Sequence, residues 1–233
     1  MATVLARQGS APGTPGQKLY VAADGDALGT VGGGAIEREV LLALLEMLDT
    51  DDAEHSVKSF KLGPELGMCC GGQLEVLVEP IARLVPCLIV GGGHVATATA
   101  PLLARIGFAV TVADSRDGWG AEGRIPGVRC VQDDYDSVGG NPSGVVLVMT
   151  HDHALDQEAI EWALKKKFAY VGGIGSRAKA KRTRDRLAAK GFSVEDIARV
   201  VMPIGLAVGA RHPEEIAVAI AAAMVAWKHH KKT

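Results

Sequence analysis

The sequence predicts an α/β protein in two parts, a small N-terminal α+β domain over residues 1–82 and a doubly wound parallel-sheet domain over residues 83–233. Three observations predict it. In the second part, short apolar β-branched runs alternate with amphipathic stretches of helix length, the pattern of a parallel sheet covered on both faces. A glycine-rich turn, Gly91-Gly92-Gly93, joins the first of those runs to the first of those helices. Ahead of the break near Pro80 and Pro86, short extended segments instead surround one clear helix.

In the first part, residues 19–23, 56–62 and 73–78 read as strands, and Asp24-Gly25 between 19–23 and 28–30 reads as a hairpin turn. Residues 35–48 read as a helix. Ile36, Val40, Ala43, Leu44, Met47 and Leu48 share one stripe, and Glu37, Arg38, Glu39 and Glu46 take much of the other side. In the second part, strands fall at 87–90, 109–113, 145–149 and 169–171, with helices at 94–106, 155–167 and 178–190. A last helix starts at Pro213, a favoured first helical residue, and runs to 227.

The composition is that of a globular protein, with 48% hydrophobic and 22% charged residues in 233. A formal net charge of -2 gives no long-range attraction for nucleic acid or an acidic membrane, so neither is an expected partner. No apolar run has the length of a bilayer span, and the start lacks a signal peptide's charged-then-apolar layout. Of the 4 cysteines, Cys87 and Cys130 sit in strand-like surroundings and read as buried packing thiols. This cysteine usage fits a reducing cytoplasm.

Gly91, Gly93 and Ala96 satisfy the G-x-G-x-x-A form between a strand and a helix. The first glycine permits the turn, the second lets a phosphate approach backbone N–H groups beside His94, and Ala96 allows close helix packing. Asp114 closes the next strand, where a Rossmann-like domain places its ribose-binding acid about 20 residues on. The same glycines could also serve the turn alone. Thr150-His151-Asp152 follows the strand 145–149 at the edge where such sheets bind ligands. His151 and His153 admit a metal, while Asp152 equally reads as a helix cap. Gly172-Gly173-Ile174-Gly175-Ser176-Arg177 is a second strand-end glycine loop. Its Ser176-Arg177 pair suits a phosphate, and the basic helix behind it carries Arg177, Lys181 and Arg184 on one face.

Two more glycine turns lie in the first part. Gly32-Gly33-Gly34 precedes the helix, where free N–H groups could hold an anion. Cys69-Cys70 sits in the turn Gly67 to Gly72, with Gly71 following. Adjacent cysteines make no easy disulfide and are an incomplete zinc set. They read either as half-buried turn thiols or as thiolates suited to a soft metal or to carrying sulfur.

Together these stretches resemble the XdhC/CoxI family over nearly the whole chain. Arg7-Gln8-Gly9-Ser10-Ala11-Pro12 through Pro15-Gly16 is similar to the family's opening motif. Gly33-Gly34-Ala35-Ile36-Glu37 is similar to its Gly-Gly-Cys-Val-Glu motif, with alanine at the usual cysteine position. Cys70-Gly71-Gly72, with the run ending Leu77-Val78-Glu79-Pro80, is similar to its second cysteine motif. The glycine turn at 91–96, Thr150-His151-Asp152, Ile174-Gly175-Ser176-Arg177, Pro203-Ile204-Gly205-Leu206 and Pro213-Glu214-Glu215-Ile216-Ala217 are similar to its Rossmann-like half.

The resemblance implies an accessory protein that acts as a chaperone for the molybdenum cofactor (molybdopterin). It would assist sulfuration of the cofactor and its insertion into an apo molybdenum hydroxylase such as xanthine dehydrogenase. It also implies contact with a cysteine desulfurase and a homodimer. On this reading the loops at 91–93 or 173–175 hold the phosphate, and Cys70 and Glu37 approach the metal end across an interdomain cleft. Ala35 then means that Cys70 acts alone or with Cys69, or that this member carries the cofactor without transferring sulfur. Two rivals remain open: an NAD(P)-dependent oxidoreductase using Asp114 for the ribose, and a nucleotide-sensing regulator.

Overall fold

A computed structural model describes residues 1–22, 25–48, 54–61, 72–81 and 84–230. The chain divides into two compact units, Met1–Arg83 and Leu84–Thr233.

The first unit is a five-stranded antiparallel sheet backed by one helix. Its strands are β1 (Ala2–Gln8), β2 (Lys18–Val21), β3 (Ala27–Gly29), β4 (Ser56–Lys61) and β5 (Gln73–Val78), in the order β3-β2-β1-β5-β4. The helix α1 (Gly34–Leu48) buries Ile36, Val40 and Leu44 against Val4, Leu19, Leu74 and Val76. That stripe is the one the 3.6-residue period predicts. β2 and β3 form the expected hairpin, although Asp24 in its turn lies outside the described residues. The central strand β1 is an addition to the sequence reading. Its alternating residues Ala2, Val4 and Ala6 carry little apolar bulk, and it exists because β2 and β5 arrive on either side of it.

The second unit is a six-stranded parallel sheet in the order β11-β10-β9-β6-β7-β8. The strands are β6 (Val85–Val90), β7 (Phe108–Ala113), β8 (Arg129–Val131), β9 (Val145–Val148), β10 (Tyr170–Gly173) and β11 (Val200–Val201). Numbered within the unit this is 3-2-1-4-5-6, the dinucleotide-fold order, with the switch point between β6 and β9. The helices are α2 (His94–Arg105), α3 (Tyr135–Val138), α4 (His153–Lys165), α5 (Arg177–Ala189), α6 (Val194–Ala198) and α7 (Pro213–His230). Cys87, Ile89 and Leu147 face α2 and α7, where Ala100, Leu103, Ile220 and Met224 meet them. Leu88, Val90, Val146 and Val148 face Ile160, Ala163 and Leu164 of α4 and Leu187 of α5. Successive residues of one strand therefore fill two different cores, which is why these runs are apolar throughout instead of alternating. Cys87 and Cys130 are buried free thiols, as their surroundings predict, and burial pushes the Cys87 thiol well up. Among the described residues no helix is long and apolar enough to cross a membrane.

The short β8 and β11 and the single-turn α3 and α6 extend the sequence reading. Strands and helices of two to five residues lack the length over which a period can be recognised.

Candidate functional site

The strand-end edge of the parallel sheet begins with Gly91. Its φ is +101°, and a Cβ there would lie 2.7 Å from the Met149 carbonyl oxygen, so only glycine lets the chain leave β6 so close to the end of β9. Two residues on, Gly93 is the N-cap of α2 in extended conformation, and no side chain caps the helix. A Cβ at Gly93 would meet nothing within 4 Å. No side chain therefore occupies the first N–H groups of α2, and the positive end of the helix dipole lies behind them. His94, the first residue of α2, is exposed beside them.

The loop after β7 closes over this turn. Asp114 is buried and accepts four hydrogen bonds: from the Gly92 N–H at 2.7 Å, the Arg116 N–H at 3.0 Å, Arg116 Nε at 2.9 Å and Arg116 Nη2 at 2.6 Å. Burial alone would raise its pKa, but the Arg116 and Gly92 donors outweigh that and hold the carboxyl below the usual aspartate range. Asp114, which the sequence reading offers as a ribose acceptor, is engaged here by its own turn and loop. A carboxylate offers about four lone-pair sites, and this loop occupies them.

Arg116 also stacks on Trp119, its guanidinium carbon 4.5 Å from the ring centroid, and Arg124 lies at 4.4 Å from the same centroid. Arg124 Nη2 donates to the Gly92 carbonyl at 3.3 Å, and the His94 ring meets Trp119 edge-on at 6.0 Å. A Cβ on Gly92 would collide with the Trp119 carbonyl oxygen, so the middle glycine of the turn is what lets this loop sit down. The bracket of Arg116, Trp119 and Arg124 is absent from the sequence reading. Its one local signal is a pair of arginines flanking a tryptophan directly after the strand-terminal acid.

Between the ends of β6, β7 and β9 lies a crevice walled by Gly91, Asp114, Arg116, Tyr135, Thr150 and His151. Of the Thr150-His151-Asp152 stretch, His151 lines this crevice. Asp152 is the N-cap of α4, its carboxylate accepting from the N–H groups of Ala154 at 2.6 Å and Leu155 at 3.0 Å. Those bonds, Leu155 first and then Ala154, hold it below the usual range. Asp152 thus caps α4 through Oδ1, the helix-cap alternative of the sequence reading. Among the described residues no three His, Cys, Asp or Glu side chains gather as a metal site.

The second glycine loop behaves similarly. Gly173 is buried as the last residue of β10. Ser176 caps α5 by accepting from the Lys179 N–H at 3.2 Å, which removes one anion-binding donor there, and Arg177 starts the helix exposed. Arg184, expected on the basic face, instead donates to the Val200 and Met202 carbonyls.

In the first unit the three motif stretches meet. A Cβ on Gly32 would lie 2.7 Å from the Gly13 nitrogen, and one on Gly72 would lie 2.8 Å from the Ala11 nitrogen. The loop around Ser10–Gly13 is therefore pinned between the start of α1 and the start of β5. Glu37 reaches back over Gly33 and Gly34. Its Oε2 accepts from the Thr30 hydroxyl, from the Val31 N–H at 3.1 Å and from the Gly33 N–H at 3.2 Å. The Thr30 bond chiefly, then the two amides, keeps this carboxyl below its usual range. Glu37 thus braces the entry to α1 through Oε2. Cys69, Cys70 and Gly71 lie outside the described residues.

Residues 87–224 match the XdhC Rossmann domain, and residues 1–60 match the XdhC and CoxI family. The chain belongs to the XdhC and CoxI family. Among relatives of this XdhC/CoxI protein, the uncharacterized protein YqeB of Escherichia coli (strain K12) is 30% identical over 99% of this chain and 43% of its own length. A probable xanthine dehydrogenase component of Bacillus subtilis (strain 168) is 29% identical over 64% of this chain and 43% of its own length. The chain thus spans less than half the length of these two curated relatives. The crystal structure of a xanthine dehydrogenase from Bacillus halodurans shares the fold, with a TM-score of 0.55 at 18% identity over 98% of this chain and 91% of that one.

Proposed function

We propose that this protein binds the molybdenum cofactor at the strand-end edge of its parallel sheet, assists its sulfuration, and passes it to a molybdenum hydroxylase such as xanthine dehydrogenase. The observation that carries the reading is the state of Asp114 beside an uncapped α2. A nicotinamide dinucleotide presents ribose hydroxyls that need a free carboxylate, and this one is filled by its own loop. A phosphate needs free N–H groups and a nearby cation, and the start of α2 offers these with Arg124 and His94 alongside. The molybdenum cofactor carries such a phosphate on a pterin rich in hydrogen-bonding atoms. Family membership and the Bacillus subtilis relative's name support the link to xanthine dehydrogenase. A cysteine desulfurase as sulfur donor and a homodimer belong to the same proposal.

The 3-2-1-4-5-6 strand order favours a second reading, a nicotinamide-dependent oxidoreductase. One experiment separates the two. Protein co-produced with the cofactor pathway is expected to yield oxidised, fluorescent pterin and to restore activity to a purified apo hydroxylase. It is expected to show no NAD(P)H turnover across a broad panel of carbonyl and alcohol substrates. Robust substrate-dependent NAD(P)H oxidation, with no pterin recovered, would replace the proposal with the oxidoreductase.

For the thiols, Cys70→Ser is expected to lower pterin retention well beyond Cys87→Ser, whose sulfur is buried at 3% exposure. Equal retention by the two folded variants would remove Cys70 from any metal-contacting role.

A further inference from the structure

One buried ion pair lies beside the crevice with no part in phosphate binding. Asp156, in the first turn of α4, pairs with Lys179, in the first turn of α5, and their side chains are only 3% and 12% exposed. A buried ion pair adds little net stability over an apolar pair of the same shape, so its place next to a ligand crevice asks for another role.

The bonds around it supply one. Oδ2 of Asp156 holds the Lys179 ammonium, leaving Oδ1 to accept from the Thr150 N–H at 3.0 Å, with the Thr150 hydroxyl 2.7 Å from Oδ1 and 2.8 Å from the Asp152 carbonyl oxygen, donating to one of the two. The same hydroxyl oxygen accepts from the Asp152 N–H at 3.2 Å, closing the turn 150–152 with His151 at its tip. His151 lines the crevice. On the other side, the stem of Lys179 reaches the carboxylate by passing Gly175, where a Cβ would lie 2.6 Å from Lys179 Cδ. The glycine of the second strand-end loop thereby leaves room for the lysine that secures the first.

We infer that Asp156 and Lys179 are positioning residues that lock the turn 150–152 and so present the His151 imidazole to a ligand in the crevice. Lys179 pairs with and aims Asp156, Asp156 engages the N–H and hydroxyl of Thr150, and Thr150 fixes the backbone on either side of His151. The cofactor reading names the ligand, and the geometry stands without it. An imidazole held in this way can donate to an anionic or oxo group of that ligand.

The test has two arms on the full chain. In the first, histidine is labelled with carbon-13 and the His151 ring signal is assigned with His151→Gln. Lys179→Met is expected to shift and broaden the His151 signal while leaving exposed His212 in place. Thr150→Val, which removes the hydroxyl half of the link without leaving a buried charge, is expected to do the same and serves if Lys179→Met does not fold. An unmoved His151 signal in a folded variant overturns the inference.

In the second arm, pterin retention is measured for Lys179→Met, His151→Ala and the two combined. Each single change is expected to lower retention by about tenfold, and the pair by no more than either alone, because both act through one imidazole. Additive losses would show a purely structural pair and overturn the positioning role. Absence of pterin from the wild-type protein would sink the cofactor reading, and the histidine signal would still decide this one.

Discussion

Gly93→Asp is expected to fold at least as well as the wild-type chain and to lose the molybdenum cofactor. Gly93 has extended N-cap geometry, and the direction of its missing Cβ is empty to 4 Å. Aspartate is among the best N-cap residues, so its carboxylate should accept from the unfilled N–H groups of α2 and add a few tenths of a kcal/mol to stability. Those are the donors assigned to the phosphate. The new charge also stands where the anion would bind, and two like charges about 4 Å apart repel by about 4 kcal/mol at an effective dielectric of 20. Retention should fall by at least about a hundredfold. The check is pterin fluorescence together with a thermal melt. Undiminished retention by a folded Gly93→Asp protein would show that this loop only turns the chain.

The second large effect is on the fold of the site itself. Asp114→Ala strands the Gly92 N–H and the Arg116 guanidinium, which together with the Arg116 N–H make four hydrogen bonds to the carboxylate. Removing one partner of such a buried group costs on the order of 3 kcal/mol. For a unit of this size that should lower the Tm by roughly 6–12 °C. The pH dependence has a definite sign. The Asp114 carboxyl is held below its usual value near 3.8, so its stabilisation is complete above that value and is lost as pH falls through the depressed one. The stability difference between wild type and Asp114→Asn should therefore be constant at neutral pH and shrink below pH 3.8. A difference that grew on acidification would mean that the carboxyl is not ionised by these partners. In the same variants Trp119 should change its fluorescence, since Arg116 on its ring is held by Asp114.

Much of this was legible from local pattern. The strands around Cys87–Val90 and Val145–Val148 announce themselves because both faces are buried, so every residue must be apolar. The strand Ala2–Gln8 did not, because its inward residues are alanine and valine and its place between β2 and β5 depends on chain arriving from as far as Val78. The glycine turn at Gly91 was readable as a turn, and the emptiness beside Gly93 was not. Whether a helix start is capped depends on which loop folds over it.

The sequence by itself determined the two-part organisation, the doubly wound sheet, the family, and which edge of the sheet carries the polar residues. These follow from period, apolar content and short motifs, all properties of contiguous residues. The tertiary structure alone decided which of the polar residues remain available. Asp114 is taken by Gly92, 22 positions earlier, Asp156 by Lys179, 23 positions later, and Glu37 by the turn before its own helix. His151 lines the crevice, and no side chain caps the first amides of α2. The physical reason is that a buried donor or acceptor must be satisfied by whatever packing brings within about 3 Å, and loop geometry sets that partner, whether it is as near in the chain as Arg116 is to Asp114 or as far as Lys179 is from Asp156.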